Sequence, residues 1–171
     1  MMKKYYFKEK FFKLTDNYWI LDENGDKSFY LDQHLKLIGY SADVYNADNS
    51  HLFRIEKKII SFLPKFFVDF ADGVKMTISK DFTLLRKSIR IDTSEGMVTL
   101  KGSFWDYDFD IFLENNLIGE VHKKFFSLTD FYELVVHDEK YTPIMLALVI
   151  CLNKIKDDED AAANSNNSAS S

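Results

Sequence analysis

Cysteine, proline and glycine are all scarce in this chain of 171 residues, which contains one, two and six of them respectively. The single cysteine, Cys151, excludes an intramolecular disulfide framework and any cysteine-rich zinc site. The N-terminus is charged and aromatic and lacks the apolar segment of a secretory signal, so we expect a cytoplasmic protein. The sequence also lacks common catalytic and phosphate-binding motifs. It contains neither a glycine-rich phosphate loop nor a Gly-x-Ser-x-Gly nucleophile motif. We therefore expect no enzymatic activity and no cofactor.

Charge is unevenly distributed along the sequence. The first 90 residues carry 16 Lys and Arg against 12 Asp and Glu, whereas the last 81 carry 6 against 15. Part of the acidic excess lies in 157–160, which is followed only by Ala, Asn and Ser. Because such a composition buries too little apolar surface to fold, we predict one domain at 1–156 and a disordered tail at 157–171. Without the tail the net charge is close to zero, which argues against nucleic acid as a partner.

Aromatic residues are abundant, at 16% of the chain, and they alternate with polar residues in short segments. Alternation with a period of two is typical of strands that bury one face. Turn signals separate the segments, most clearly at 23–26, where Asn24-Gly25 favours a tight hairpin, and more weakly at 32–33 and 80–81. The pattern predicts about twelve strands, at 5–12, 17–22, 27–31, 35–44, 50–60, 66–71, 73–78, 82–91, 97–101, 104–113, 117–126 and 131–137.

The last apolar segment breaks this alternation. Residues 144–152 are apolar on every side, and Pro143 is well placed to open a helix. Nine residues in a helix span only about 14 Å, which is too short for a bilayer core of about 30 Å. A helix that is hydrophobic all round must be buried all round, and in a protein made of strands that place is the centre of a barrel.

These observations together predict a mainly β fold. We expect an antiparallel barrel of about twelve strands, closed or nearly closed, around a central hydrophobic C-terminal helix at about 142–156. The helix residues that we expect to hold this centre are Ile144, Leu148, Cys151 and Leu152. A thiol in such surroundings is normally inert, so Cys151 is not expected to react.

Several motifs of the chain resemble those of the LURP-one-related proteins. They are the segments 11–16 with 22–25, 37–40, and 105–109 with 117–119, followed by the hydrophobic helix, and they span about 5–156. The resemblance implies the tubby C-terminal-like fold, which is a twelve-stranded barrel around a central helix, and it implies no established catalysis. Related tubby-like folds include phosphoinositide-binding and scramblase-type membrane proteins, so the resemblance suggests a lipid-associated role by analogy.

The basic residues supply a hypothesis about function. Arg54 and Lys58 share one face of the predicted strand 50–60, and Arg86 and Arg90 share one face of the predicted strand 82–91. If these faces adjoin, the four cations could hold an anionic phospholipid headgroup through charge-assisted hydrogen bonds. This predicts a non-enzymatic binding module in the cytoplasm, peripheral to the membrane. The alternative is a soluble protein-interaction or scaffold protein with no lipid role.

Metal binding is not expected from the remaining polar residues. Asp106, Asp108 and Asp110 would share one face of a strand, but read as an EF-hand loop they place Ile111 where that loop requires glycine. The four histidines are scattered along the chain without the spacing of metal ligands. We therefore interpret the aspartates as a solvated strand face.

Overall fold

The structure is a computed structural model that describes residues 2–8, 17–35, 39–58, 65–83, 86–126 and 129–168, with side chains except at 35, 81–83, 86–88, 125–126, 129–130 and 166–168. Twelve strands lie in this part of the chain: β1 (Lys3–Lys8), β2 (Asn17–Asp22), β3 (Lys27–Leu35), β4 (Tyr40–Asn46), β5 (His51–Lys58), β6 (Lys65–Phe70), β7 (Lys75–Thr83), β8 (Arg86–Thr93), β9 (Gly96–Ser103), β10 (Asp108–Leu113), β11 (Asn116–Phe126) and β12 (Thr129–Val136). The described residues also contain two short 3₁₀ helices, Phe104–Asp106 and Glu139–Tyr141, and one long helix, α1 (Thr142–Ser168).

The strands form a closed antiparallel barrel. Each strand pairs with its neighbours in sequence, and β1 closes the sheet on β12, with Lys3 opposite Val136 and Lys8 opposite Phe131. Closure removes the exposed edges that an open sheet of aromatic-rich strands would present. The predicted fold class, a barrel of about twelve antiparallel strands, is confirmed.

Period-two alternation decides which side chains enter the barrel. In β6, for example, Phe66, Val68 and Phe70 are buried, whereas Lys65 and Asp69 are exposed. Successive side chains on a strand point to opposite faces of the sheet, so the apolar set of each strand lines the interior. The sequence pattern and the burial pattern therefore agree in strands such as β6 and β10, whereas β4 is buried on both faces over residues 40–44.

The first half of α1 fills the centre of the barrel. Residues 144–153 and Ile155 are all buried, and several of these side chains are 0% exposed. Burial of an aliphatic side chain of this size contributes about 1.5–3 kcal/mol relative to exposure. Burial also raises the pKa of the Cys151 thiol. The predicted central helix is confirmed, and Ile144, Leu148, Cys151 and Leu152 all lie in its buried part.

Two predicted turns are wrong, because their polar residues lie inside strands. Positions 32–33 belong to β3, and positions 80–81 belong to β7. Gln33 faces the interior, where its Oε1 accepts a hydrogen bond of 3.1 Å from the Tyr40 hydroxyl. A polar pair that resembles a turn can thus continue a strand when the inward member finds a partner.

The strand predicted at 104–113 is also shorter than expected. Phe104–Asp106 forms a 3₁₀ helix, Tyr107 adopts a left-handed conformation with φ of 54°, and β10 begins at Asp108. Asp106 therefore does not share a strand face with Asp108 and Asp110. Among the residues that the structure describes, no group of three or more His, Cys, Asp or Glu is arranged to hold a metal ion.

α1 continues well past the predicted end near residue 156. Residues 157–168 are helical, although their composition predicts disorder, and 169–171 lie outside the described residues. Asp158 forms ion pairs of 2.7 Å with Lys57 and 2.5 Å with Lys154, and Glu159 pairs with Lys80. The structure thus corrects the prediction for 157–168, which are helical. For Asp158 and Glu159 the reason is pairing with lysines of β5 and β7, which composition alone does not show. No helix in the described part of the chain has the length and apolarity to span a membrane.

A charge in the middle of α1 should abolish cooperative folding. Leu148→Asp places an unpaired carboxylate in the barrel centre, where desolvation is very unfavourable, and Leu148→Ala should cost about 2–5 kcal/mol through loss of contacts. Ala162→Asp, at an exposed position of the same helix, is the matched control and should leave stability nearly unchanged. Denaturant unfolding followed by near-UV circular dichroism measures all three. A normal unfolding transition for Leu148→Asp would contradict a central helix.

Candidate binding surface at the basic end of the barrel

The strand ends and turns at the two ends of the barrel differ in their charged residues. One end, the hairpin end, has turns at 23–26, 47–50, 71–74, 94–95 and 114–115, and α1 begins there after the ion pair of 2.9 Å between Lys3 and Glu139. Carboxylates occur in each of these turns, at Glu23, Asp26, Asp48, Asp72, Glu95 and Glu114. The other end, which we call the basic end, is where α1 leaves the barrel. Lysines lie at or near its strand ends, at Lys8, Lys57, Lys58, Lys65, Lys80, Lys123 and Lys124.

A pocket of about 650 Å³ opens at the basic end. It lies between the 3₁₀ helix before β10, the end of β11 and the exit of α1. Three lysines and a histidine face two aspartates around it, and a tryptophan and a tyrosine complete the lining: Trp105, Asp106, Tyr107, Asp108, His122, Lys123, Lys124 and Lys156. Cations therefore exceed carboxylates around the opening, which suits an anionic group.

The tryptophan side of the pocket depends on a tight backbone turn. Gly102 has φ of +115°, and a Cβ at that position would lie 2.5 Å from the backbone oxygen of Asp108. Only glycine fits there, so β9 can leave the sheet and enter the 3₁₀ helix that carries Trp105. Lys156 from α1 then donates a hydrogen bond of 2.7 Å to the backbone oxygen of Trp105, and its ammonium lies 4.1 Å from the ring centroid of Tyr107.

A buried hydrogen-bond network below the pocket joins α1 to the barrel wall. The Tyr107 hydroxyl donates to Asn153 Oδ1 at 2.6 Å, while Asn153 Nδ2 donates to the Tyr132 hydroxyl and, at 3.0 Å, to the Val149 carbonyl. The rings of Tyr107 and Tyr132 stack with their centroids 4.6 Å apart. Burial raises the pKa of Tyr132 well above its ordinary value, so the phenol stays neutral. The network fixes the rotation and depth of α1 within the barrel. In the sequence, only Asn153, directly after the apolar segment 144–152, indicated such a network.

Histidine and carboxylates form a connected group on the outer side of the pocket. The ring of His122 lies between Asp108 Oδ1, 3.0 Å from Nδ1, and Glu120 Oε2, 3.0 Å from Nε2. The second Glu120 oxygen lies 3.0 Å from His137 Nε2. The hydrogen bond with Glu120, and then that with Asp108, raises the pKa of His122 although burial opposes this. The same contact with His122 lowers the pKa of Glu120.

The predicted cation cluster is not assembled by the fold. Lys58 lies opposite Lys65 on β6, Lys65 lies opposite Ser79 on β7, and Ser79 lies opposite Arg90 on β8. Strands β6 and β7 thus separate β5 from β8, so the two basic faces do not adjoin. At a spacing of about 4.8 Å per strand, Lys58 and Arg90 are roughly 14 Å apart at the backbone.

Local partners engage two of the four predicted cations. The Arg54 guanidinium lies 2.9 Å from Asp43, a carboxylate that also contacts His34 at 3.2 Å and His51 at 3.0 Å. Arg90 lies 2.8 Å from Asp92. Lys58 is exposed, with its ammonium 5.1 Å from the ring centroid of Phe67. The Arg86 side chain lies outside the described residues.

His122 should lose its proton at a higher pH than an ordinary histidine does, because its pKa is raised. Because its folded pKa is raised above 6.5, protonated His122 stabilises the fold fully below that pH, and this contribution is lost as pH rises through the folded value. An NMR titration of the His122 ring should give a midpoint above 6.5, and Glu120→Gln should lower it. Glu139→Gln, at the hairpin end, is the control and should leave the midpoint unchanged. A midpoint unaffected by Glu120→Gln would show that the carboxylate does not hold the proton.

Comparisons with known proteins agree with this architecture. The chain is 24% identical over 160 residues to the uncharacterized protein YxjI of Bacillus subtilis (strain 168), an alignment that covers 93% of this chain and 98% of YxjI. The X-ray structure of the Arabidopsis thaliana protein AT5G01750 matches with a TM-score of 0.62 and 14% identity over 90% of this chain and 91% of that one, which shows a shared fold. The profile of the LURP-one-related family matches residues 3–153, although the motif segments 11–16 and 37–38 lie outside the described residues. The chain therefore belongs to the LURP-one-related family.

Proposed function

We propose that this protein is a non-enzymatic binding module whose basic end associates with anionic phospholipid headgroups at a membrane surface. The observation that carries the proposal is that lysines cluster at the strand ends of one end of the barrel, whereas carboxylates occupy the turns of the other end. A negatively charged surface attracts one end and repels the other, so the barrel approaches the surface in one orientation. The location that we propose with this function is the cytoplasm, peripheral to the membrane.

The outer wall of the basic end supplies exposed cations for this contact. Lys58 and Lys65 are exposed and lie directly opposite each other, and exposed Arg90 continues the same row on β8. Arg86 at the start of β8 belongs to the proposed surface as well. Arg54 and Arg90 contribute less, because the carboxylates of Asp43 and Asp92 partly neutralise them. Each such charge near an anionic membrane contributes about 1 kcal/mol, so we expect weak, reversible association with micromolar or weaker affinity.

The pocket adds a feature that a flat basic patch lacks. Trp105 is half-buried at its rim, beside Lys124 and Lys156. Indole rings are favoured at the level of lipid headgroups, because one edge is apolar and the other carries an N–H donor. The pocket is therefore the part of the basic end that we expect to receive a headgroup.

A second candidate function, protein interaction without lipid, rests on a different surface. Trp19, Tyr30, Tyr45 and His51 lie opposite one another in register across β2 to β5. The ring centroids of Trp19 and Tyr30 are 4.9 Å apart, and those of Tyr45 and His51 are 5.2 Å apart. Aromatic side chains are enriched at protein interfaces, so this row on the outer wall favours a protein partner.

Co-sedimentation with vesicles distinguishes the two functions. We expect the protein to bind vesicles of equal parts phosphatidylserine and phosphatidylcholine at low salt, and to release them at high salt because exposed charges are screened over about 8 Å at physiological ionic strength. The triple variant Lys58→Glu/Lys65→Glu/Arg90→Glu should lose most of the binding. Pure phosphatidylcholine vesicles should not bind.

The matched control makes the same change in net charge at the hairpin end. Lys27→Glu/Lys75→Glu/Lys140→Glu alters three exposed lysines and should leave vesicle binding unchanged or slightly weaker. Equal loss in both triple variants would mean that net charge alone governs the association. If the wild-type protein ignores anionic vesicles even at low salt, the lipid proposal is wrong and protein interaction becomes the better account.

A further inference from the structure

Two lysines at the basic end point into the barrel instead of outward. Lys57 continues the inward-facing set of β5, after Phe53 and Ile55, and Lys80 continues that of β7, after Met76 and Ile78. Their side chains are only 13% and 10% exposed. They therefore line the mouth through which α1 leaves, and they differ in this from the outward-facing Lys58.

Carboxylates of α1 meet these lysines at the mouth. Lys57 Nζ lies 2.7 Å from Asp158 Oδ2, and Lys80 pairs with Glu159. Lys154, one turn earlier on the helix, holds the other Asp158 oxygen at 2.5 Å. A largely buried ammonium without a counter-charge is strongly destabilising, so the mouth requires an anion.

The acidic segment 157–160 supplies that anion from within the chain. It follows the buried apolar segment directly, so the helix delivers its carboxylates at the level where it emerges between the lysines. This arrangement also explains the uneven charge of the sequence, since the acidic second half of the chain meets basic residues of the first half. The contact is a carboxylate bound by lysines, and the same lysines would bind the oxygens of a phosphate group.

We propose that Lys57 and Lys80 form an anion-binding site in the barrel mouth, which the acidic segment occupies in cis and which a phosphate-bearing ligand takes when that segment is displaced. The proposal rests on the proposed function, because it places a second, regulated site at the same basic end. The acidic segment then acts as an internal competitor. The apparent affinity for the ligand is then the intrinsic affinity of the open site multiplied by the fraction of molecules in which the site is open.

The mouth and the pocket are close enough to act together. Lys80 Nζ lies 6.0 Å from the ring centroid of Trp105, which lines the pocket, and Lys156 of the pocket precedes the acidic segment by one residue. Displacement of the acidic segment would therefore add the two mouth lysines to a surface that already carries Lys123 and Lys124.

Removal of the competing carboxylates should tighten anion binding. Asp158→Asn/Glu159→Gln should bind the phosphatidylserine vesicles about tenfold more tightly than the wild type, if the site is open in about a tenth of wild-type molecules. The matched control, Glu23→Gln/Glu95→Gln, makes the same change in net charge at two exposed positions of the hairpin end and should bind like the wild type. Lys57→Gln/Lys80→Gln added to the first variant should remove the gain.

A soluble probe distinguishes two possible ligands of the site, a lipid headgroup and a free phosphate compound. Inorganic pyrophosphate should raise the melting temperature of Asp158→Asn/Glu159→Gln more than that of the wild type, because a ligand that binds the folded state stabilises it. A rise with pyrophosphate and no gain on vesicles assigns the site to free phosphate compounds. A near-UV spectrum that matches the wild type establishes that the variant is folded, and a folded variant with no gain for either probe overturns the proposal.

Lysine acetylation tests the cis contact without any ligand. In the wild type, Lys57 and Lys80 should react severalfold more slowly than exposed Lys58, and in Asp158→Asn/Glu159→Gln their reaction should accelerate severalfold. This distinguishes the two proposals, because failure of all variants to bind vesicles refutes the membrane role while acetylation still reports on the mouth. Equal acetylation of Lys57 and Lys80 in both proteins overturns occupation in cis.

Discussion

An apolar segment with no polar side is stable in water only where other parts of the chain surround it completely. Residues 144–152 are such a segment, and the closed sheet surrounds them. The sheet also depends on the helix. The side chains of an eight-stranded barrel just fill its interior, and a wider barrel needs an additional element to fill the space. This barrel has twelve strands, and α1 fills its interior. Strand closure and helix burial are therefore one cooperative event, and the positions of all other groups follow from it.

The position of the helix in turn decides what the basic end presents. Asn153 ties α1 to Tyr107 and Tyr132 inside the barrel, and Asp158 ties it to Lys57 at the mouth. These contacts fix how far the helix emerges, so that Lys156 reaches the pocket and the acidic segment reaches the mouth lysines. The binding surface and its internal competitor thus result from the same packing that stabilises the fold.

Sequence patterns predicted the strands and the helix, which depend on local alternation and apolar runs. They missed features that depend on contacts between residues distant in the chain. Strand number and the buried helix follow from period-two alternation and from an apolar run, which the residues show directly. The turn expected at 32–33 was wrong, because Tyr40 donates a hydrogen bond to Gln33 inside the barrel. The disorder expected at 157–168 was wrong as well, since the helix continues there and Asp158 pairs with Lys57. The headgroup hypothesis required the basic faces of β5 and β8 to adjoin, and the up-and-down strand order places β6 and β7 between them. The pocket combines side chains from the 3₁₀ helix at Phe104–Asp106, β10, β11 and α1, so no single segment of the sequence predicts it.

Hydrogen exchange of the backbone amides tests most directly whether helix burial and barrel closure are one event. The amides of 146–155 should exchange only through global unfolding, with the same opening free energy as the paired amides of β1 and β12. Exchange of both sets should respond equally to added denaturant. Helix amides that exchange through a smaller opening, while the strands stay protected, would show that the barrel stands without its central helix and would contradict this account.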